Sequence, residues 1–524
     1  MLYYFTEVSK YIICAFMILY TIECVLYEIS GENYVNCKGI VTRQRIYLLI
    51  IQACCYGTLC LRTGELDYMF FCFFVQIVLF ACIILTGYIY PRCDRVLLNN
   101  MALLLSIGFI VISRLNFDKA LKQFAIVAAS IVIGMFVPKI IKDWKTLIRY
   151  KWIFAISGIV PLLIVLVLGT ATHGSKISFT VFGITVQPSE FIKLLFVICV
   201  ASMLSTASDI SEIALATAVA ASHVVILVAS RDLGSALVFF VAYLFMLFIA
   251  TRNYIYFAIG IISGVVASII GYKLFSHVRV RVQAFLDPFS TIDNQGYQIS
   301  QSLFSISSGG FFGLGLNKGI PSDIPFVESD FIFSAVCEEL GVIFASCMLL
   351  VCFSCFVIIM RGGLAGRIKY YRILNYGLGV MYIFQVFLTV GGGAKFIPLT
   401  GVTLPFVSYG GSSVLSSVIM FYLAQGVIIK ERDLEYEEYK EELEKRRKHA
   451  LDEERRRRER KRAERLEREY EERWERELEY RRDRRDERYD ERYDDRYDRR
   501  DERYDDRYDR RVKSVRREAY DEEY

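Results

Sequence analysis

The chain has 524 residues, 54% of them hydrophobic and 14% aromatic, with a formal net charge of +5. Residues 1–429 carry 28 Lys and Arg against 20 Asp and Glu, whereas residues 430–524 carry 34 against 37. An apolar share above that of soluble domains, joined to a slightly acidic mixed-charge tail, excludes an ordinary soluble enzyme and a nucleic-acid binder.

A bilayer core needs about 20 apolar residues per helix. By that rule thirteen spans are expected, near 9–30, 46–63, 68–90, 98–113, 119–138, 151–170, 188–206, 211–229, 233–250, 254–275, 331–359, 371–391 and 404–428. The run from Tyr11 to Ile29 is long enough to span and does not read as a cleavable signal. Most of the fourteen cysteines, among them Cys54, Cys55, Cys72, Cys82, Cys352 and Cys355, fall inside apolar runs. There they serve as small hydrophobes and not as a disulfide or metal framework.

Basic residues gather at Lys38–Arg45, Arg92–Arg95, Lys139–Lys151 and Arg361–Arg372, each time after an odd-numbered span. The positive-inside rule makes that side cytoplasmic. The N-terminus, the short turn around His173, the turn around Lys395 and the 276–330 loop are then expected outside, and the tail inside. Several ionisable groups fall within or at the edges of spans. Glu190 and Lys193 share a helix face, Arg231 and Asp232 interrupt an apolar stretch, and Glu338–Glu339 lie about two turns beyond Asp330. Such groups either pair with one another or line a polar cavity, here one that opens outward.

The longest polar interruption runs from Arg279 to Leu340. It holds Pro288, Pro321 and Pro325 and six glycines before Asp330 returns the chain to an apolar run, which suits a shaped loop. Gly309, Gly310, Gly313 and Gly315 read as turn residues, or as a backbone cradle for phosphate. Asp330 reads as a helix N-cap or as a catalytic carboxylate, and the two roles are compatible. His173 and His277 read as interfacial polar residues. In the tail, 431–480 is rich in Glu, Arg, Lys and Leu and is expected to be helical, while DERYDDRYDRR at 490–500 repeats unchanged at 501–511 and reads as helical or disordered.

Four stretches carry a resemblance to one family. They are Gln187-Pro188-Ser189-Glu190 with Lys193; Asp232-Leu233-Gly234; the loop with Asp287-Pro288, Gly296-Tyr297-Gln298, Gly313-Leu314-Gly315, Asp330-Phe331 and Glu338-Glu339-Leu340-Gly341; and Pro398-Leu399-Thr400-Gly401 through Ser408-Tyr409-Gly410-Gly411. In order and spacing they resemble the SEDS family (FtsW/RodA/SpoVE) over roughly 99–429. The resemblance implies an all-α polytopic membrane protein of the bacterial cytoplasmic membrane with a ten-helix core. It implies a peptidoglycan glycosyltransferase that polymerises lipid II at the outer face, in elongation, division or sporulation, beside a class B penicillin-binding protein and other cell-wall or division proteins.

On this reading the chain divides into extra N-terminal helices (1–97), the glycosyltransferase core (98–429) and the charged tail (430–524). Asp330 matches the family's essential carboxylate and is the expected general base, taking the proton of an attacking sugar hydroxyl. Arg114, Lys193, Arg279, Arg281 and Lys395 are candidate cations for the pyrophosphate, and Glu190, Asp232, Gln298, Thr400 and Ser408 complete the candidate substrate-binding set. The sequence names no certain cofactor; a divalent cation (Mg or Mn) at the pyrophosphate fits the same chemistry. The chain departs from the family in its three extra spans, its tail, and the segment Asp323–Ser329, where many members carry Pro-Glu and His-Thr. A flippase for the same lipid precursor and a partner-recruiting scaffold are the alternative readings.

Overall fold

The computed structural model of the chain describes residues 2–30, 34–168, 170–172, 175–181, 184–364 and 366–489. The expectations for His173 and for the 490–511 repeat lie outside the described residues. In chain order the elements are α1 (Leu2–Ser30), α2 (Tyr34–Thr63), α3 (Asp67–Ile89), α4 (Arg95–Leu115), α5 (Phe117–Ile141), α6 (Trp144–Arg149) and α7 (Lys151–Leu168). A small antiparallel sheet β1-β2-β3 follows (Thr170–Thr172, Ser175–Val181, Ile184–Val186), then α8 (Pro188–Thr206), α9 (Ile210–Ala229), α10 (Leu233–Thr251), α11 (Tyr254–Leu274) and α12 (Ser276–Leu286). The last elements are α13 (Tyr297–Gly309), α14 (Ile332–Leu364), α15 (Lys369–Gly393) and α16 (Gly411–Tyr489).

Thirteen of the described helices are long and apolar enough to cross a membrane. They correspond one for one to the expected spans, with three differences. A three-stranded meander replaces the short turn expected near residue 173, with Thr180 opposite Thr185 in its second pair. The last span begins at Gly411 and not at 404, because Leu404, Phe406 and Val407 are apolar but belong to a buried loop. Finally, α14 is one apolar run in sequence but breaks at Gly341, where φ is 90° and ψ is 161°.

Met1–Tyr436 pack as one compact unit and Glu437–Tyr524 form another. In the first unit α4 is the axis, buried along its whole apolar length. Its two asparagines tie the first helices to the rest. Tyr20 donates to Asn100 Oδ1 at 3.0 Å, and Asn99 Nδ2 donates to Val41 O at 3.2 Å and Gln44 Oε1 at 3.1 Å. Side-chain hydrogen bonds of this kind join helices where lipid offers little hydrophobic drive between them. In the second unit the described part of α16 is exposed on all sides and laced by i,i+4 pairs such as Arg446–Glu442 and Arg458–Glu454, both 2.7 Å.

Candidate active site

The four motif stretches meet at one end of the bundle. Asp232 N-caps α10, accepting from Ser235 N at 3.1 Å. Its other oxygen accepts from Ser189 Oγ at 3.2 Å and Gln187 Nε2 at 3.4 Å, which joins the second motif to the first. Burial raises the Asp232 carboxyl above its usual range against those hydrogen bonds. Gly234 abuts the fourth stretch: a Cβ there would lie 2.5 Å from Val402 Cγ2 and 3.0 Å from Thr400 O.

The third motif reaches the same turn through α12. Arg281 Nη1 donates to Leu399 O at 3.2 Å and Thr400 O at 3.0 Å. Gly401 follows in the left-handed region, φ 75°, and a methyl placed on it would stand 3.8 Å from Asp330 Oδ2 and 3.9 Å from Arg281 Nη2. The acid and the guanidinium therefore flank one small-residue turn. Burial pulls the Arg281 pKa down, while Asp330 and Asp232 both oppose that by favouring its charged form. Asp330 itself is half-buried, in the turn just before α14.

The bed beneath Asp330 is tightly bonded. Ser408 Oγ donates to Ser329 O at 2.5 Å and accepts from Leu404 N at 2.9 Å, and Tyr409 N donates to Glu328 O at 2.7 Å. Gln123 of α5 clamps the same loop, receiving from Gly410 N at 3.1 Å and donating to Ser408 O at 3.2 Å. Lys119 pairs with Glu328 within the segment that departs from the family pattern. Five of the six described non-glycine residues with positive φ (Arg231, Asn317, Phe326, Lys395 and Phe406) lie in the segments at this end. Left-handed non-glycine backbone persists where its surroundings over-determine it, and it clusters at functional sites.

The candidate residues separate into two groups. Arg279 is exposed on α12, Gln298 is half-buried in the first turn of α13, and Lys395 is half-buried with φ 57°. Among the described residues the side chains of these three form no hydrogen bond or ion pair. Thr400 Oγ1 and His277 Nε2 are enclosed without a hydrogen-bond partner, and burial, with the charges of Arg281 and Arg231, lowers the His277 imidazole pKa.

The others are committed to the protein. Lys193 Nζ binds Glu190 Oε2 at 2.6 Å and Gln385 Oε1 at 3.0 Å, and Ser416 donates to the same glutamate oxygen at 2.9 Å. The pair is buried and joins α8 to α15 and α16. Arg114 is likewise spent: its Nε binds Glu339 Oε1 and its Nη2 binds Gly319 O, both at 2.8 Å. Ser408 acts as the loop latch described above.

Glu338 and Glu339 are both buried. They hold the loop that fills the break in α14. Glu338 O accepts from Leu314 N at 2.8 Å and Glu339 O from Gly315 N at 2.9 Å, while Val342 N and Ile343 N donate to Gly310 O and Phe311 O. The side chains add Ile320 N to Glu338 Oε1 at 2.7 Å and Asn317 N to Glu339 Oε1 at 3.1 Å. Non-helical backbone inside a membrane bundle needs such partners. Gly309 and Gly313 are required by close approach, since a Cβ would meet Cys337 O at 2.0 Å or Glu339 O at 2.3 Å. The N–H groups of Gly310, Gly313 and Gly315 all bond within the protein, so the glycine loop is packing and not a phosphate cradle.

Fold and site together define a polytopic helical membrane protein with a carboxylate and an arginine flanking a glycine turn ahead of a broken membrane helix. The chain belongs to the FtsW/RodA/SpoVE family, described as cell cycle protein, which it matches over residues 94–432. It is similar to the peptidoglycan glycosyltransferase RodA of Mycobacterium bovis, with 33% identity over 359 residues covering 63% of this chain and 76% of that one. A probable peptidoglycan glycosyltransferase FtsW of Pseudoalteromonas translucida is 30% identical over 357 residues, covering 64% and 88%. Among solved structures, a chain of a peptidoglycan synthase complex that coordinates polymerisation and crosslinking shares the fold, with TM-score 0.55 and 23% identity over 65% of this chain and 98% of that one.

Proposed function

We propose that this chain is a membrane peptidoglycan glycosyltransferase that polymerises lipid II, with Asp330 as general base. The observation that carries the reading is that Asp330 Oδ2 and Arg281 Nη2 both flank the Gly401 turn of the fourth motif stretch, to which the other stretches are bonded or packed. The acceptor hydroxyl attacks the anomeric carbon of the donor sugar and gives its proton to the Asp330 carboxylate. The bond from that carbon to the pyrophosphate oxygen breaks, and the lipid pyrophosphate leaves as a stable anion. No second carboxyl is needed to protonate it, and attack opposite the leaving group inverts the anomeric centre. Arg281, with Arg279 and Lys395, offers positive charge to the departing pyrophosphate. A divalent cation there would be held by phosphate oxygens together with a carboxylate of the site.

We place this site on the outer face of the cytoplasmic membrane and the tail in the cytoplasm. In support, three of the four basic clusters reach the tail end of the bundle: Arg92 and Lys142 both pair with Asp433, and Arg361 pairs with Glu28 at 2.9 Å. A class B penicillin-binding protein is the proposed crosslinking partner. The flippase reading needs a line of polar groups through the bundle, whereas Glu190, Lys193, Glu338 and Glu339 are engaged with the protein itself.

The test is purified full-length chain with its partner and labelled lipid II in detergent, with and without a chelator. Asp330→Asn keeps size and is expected to fold, yet to lose about 10²–10⁴-fold in polymerisation rate. Retention of more than about a tenth of the normal rate would exclude the general-base assignment.

A further inference from the structure

The three N-terminal helices lie outside the family match, which begins at residue 94. Two of them reach the loop that fills the α14 break. Arg62, in the last turn of α2, donates Nη1 to Asn317 O at 3.2 Å. Glu7 of α1 pairs with Lys318 and, at 3.1 Å, with Lys10. The Tyr11 ring stands 5.2 Å from the Phe312 ring. These contacts fall on 312–318, interleaved with the residues that bond to the broken helix and ahead of those that lead to Asp330.

Asn317 is itself in the left-handed region, φ 59°. Asparagine adopts that conformation more readily than other non-glycine residues, and both backbone groups of Asn317 are bonded here. Its N–H is fixed from the core by Glu339 Oε1, and its carbonyl from the extension by Arg62. From Ile320, anchored by Glu338, the chain runs through the 3-10 turn Pro321–Asp323 to Asp330. A slip of the loop along the α14 break would therefore move the start of α14 and the carboxylate ahead of it.

We infer that the N-terminal extension is a brace for the catalytic loop, with Arg62 and the Glu7–Lys318 pair as positioning residues that set Asp330 without touching substrate. The inference rests on the reading of Asp330 as the catalytic carboxylate, and its test is arranged to separate the two. Full-length Arg62→Met, Glu7→Lys, Lys318→Glu and the Glu7→Lys/Lys318→Glu swap are measured for amide hydrogen exchange at Leu314, Gly315, Asn317, Ile320 and Val342. Each is also measured for kcat and KM with lipid II.

Arg62→Met is expected to speed exchange at those amides about five- to ten-fold, the equivalent of one lost hydrogen bond. It is also expected to lower kcat by about ten- to a hundred-fold, as a displaced catalytic group does, with KM changed by less than about two-fold. Each single charge reversal is expected to do the same more weakly, and the swap to restore both exchange and kcat. Unchanged exchange and kcat in a folded Arg62→Met protein would overturn the brace, as would a swap no better than its single reversals. If Asp330→Asn were fully active, the catalytic reading would fall, while the exchange measurements would still decide whether the extension braces the loop.

Discussion

At the residue scale, sequence placed Glu190 and Lys193 on one helix face, and the structure adds the reason that pairing can be afforded in a membrane bundle. The ammonium has a second acceptor in Gln385 and the carboxylate a second donor in Ser416. Taking one partner from a buried, hydrogen-bonded pair leaves an uncompensated charge, at a cost of roughly 3–5 kcal/mol. Lys193→Met is therefore expected to lower thermal stability in detergent more than the double change Glu190→Gln with Lys193→Met. A double variant at least as unstable as the single one would contradict this. The pair itself was legible, because i,i+3 spacing decides which side chains meet. Gln385 and Ser416 were not, because a lone amide or hydroxyl in an apolar span gives no sign of its partner. The same limit hid Gln123 and Arg62, whose partners lie 285 and 255 residues away in sequence.

At the element scale, the thirteen spans were legible because a bilayer demands long apolar runs, and helix is the one way a lone segment satisfies its backbone there. The same hydropathy concealed two departures. Leu404–Val407 are apolar enough to extend the last span, yet Ser408 and Gln123 hold them as a loop. In α14, Gly341 looks like a packing glycine, yet it carries φ 90° and its Cβ position is filled by Gly313 N and Phe311 O, both 2.4 Å away. Gly341→Ala therefore faces both left-handed strain and a backbone clash, each of order 1–3 kcal/mol. It is expected to melt several degrees lower than the parent and to lose polymerisation. Gly57→Ala, which meets nothing within 4 Å, is the matched control and is expected to change neither. Equal melting temperatures for the two variants would show that the break in α14 is not held as described.

At the scale of the whole molecule, the charged tail poses the question of where the folded body ends. The sequence places a boundary at 430, where hydropathy stops, but packing continues for six residues. Arg432 reaches buried Asp94 at 3.1 Å and Arg92 O at 3.1 Å, Glu431 accepts from Arg367 N at 3.2 Å, and Asp433 takes both Arg92 and Lys142. The Arg92 guanidinium lies 4.2 Å over the Tyr436 ring. Beyond Tyr436 the described helix is exposed and held by i,i+4 pairs, each about 0.3–0.5 kcal/mol, with no apolar face for a core. Two truncations separate these regimes. A chain ending at Tyr436 is expected to keep the stability and polymerisation rate of the full chain. A chain ending at Lys430 strips Asp94 of its arginine and is expected to lose roughly 3 kcal/mol, because a buried carboxylate then lacks its counter-charge. Thermal melting in detergent and the lipid II assay read both. A well-folded chain ending at Tyr436 without polymerase activity would give the tail a part in the chemistry, and equal stability of the two truncations would remove the 431–436 segment from the folded body.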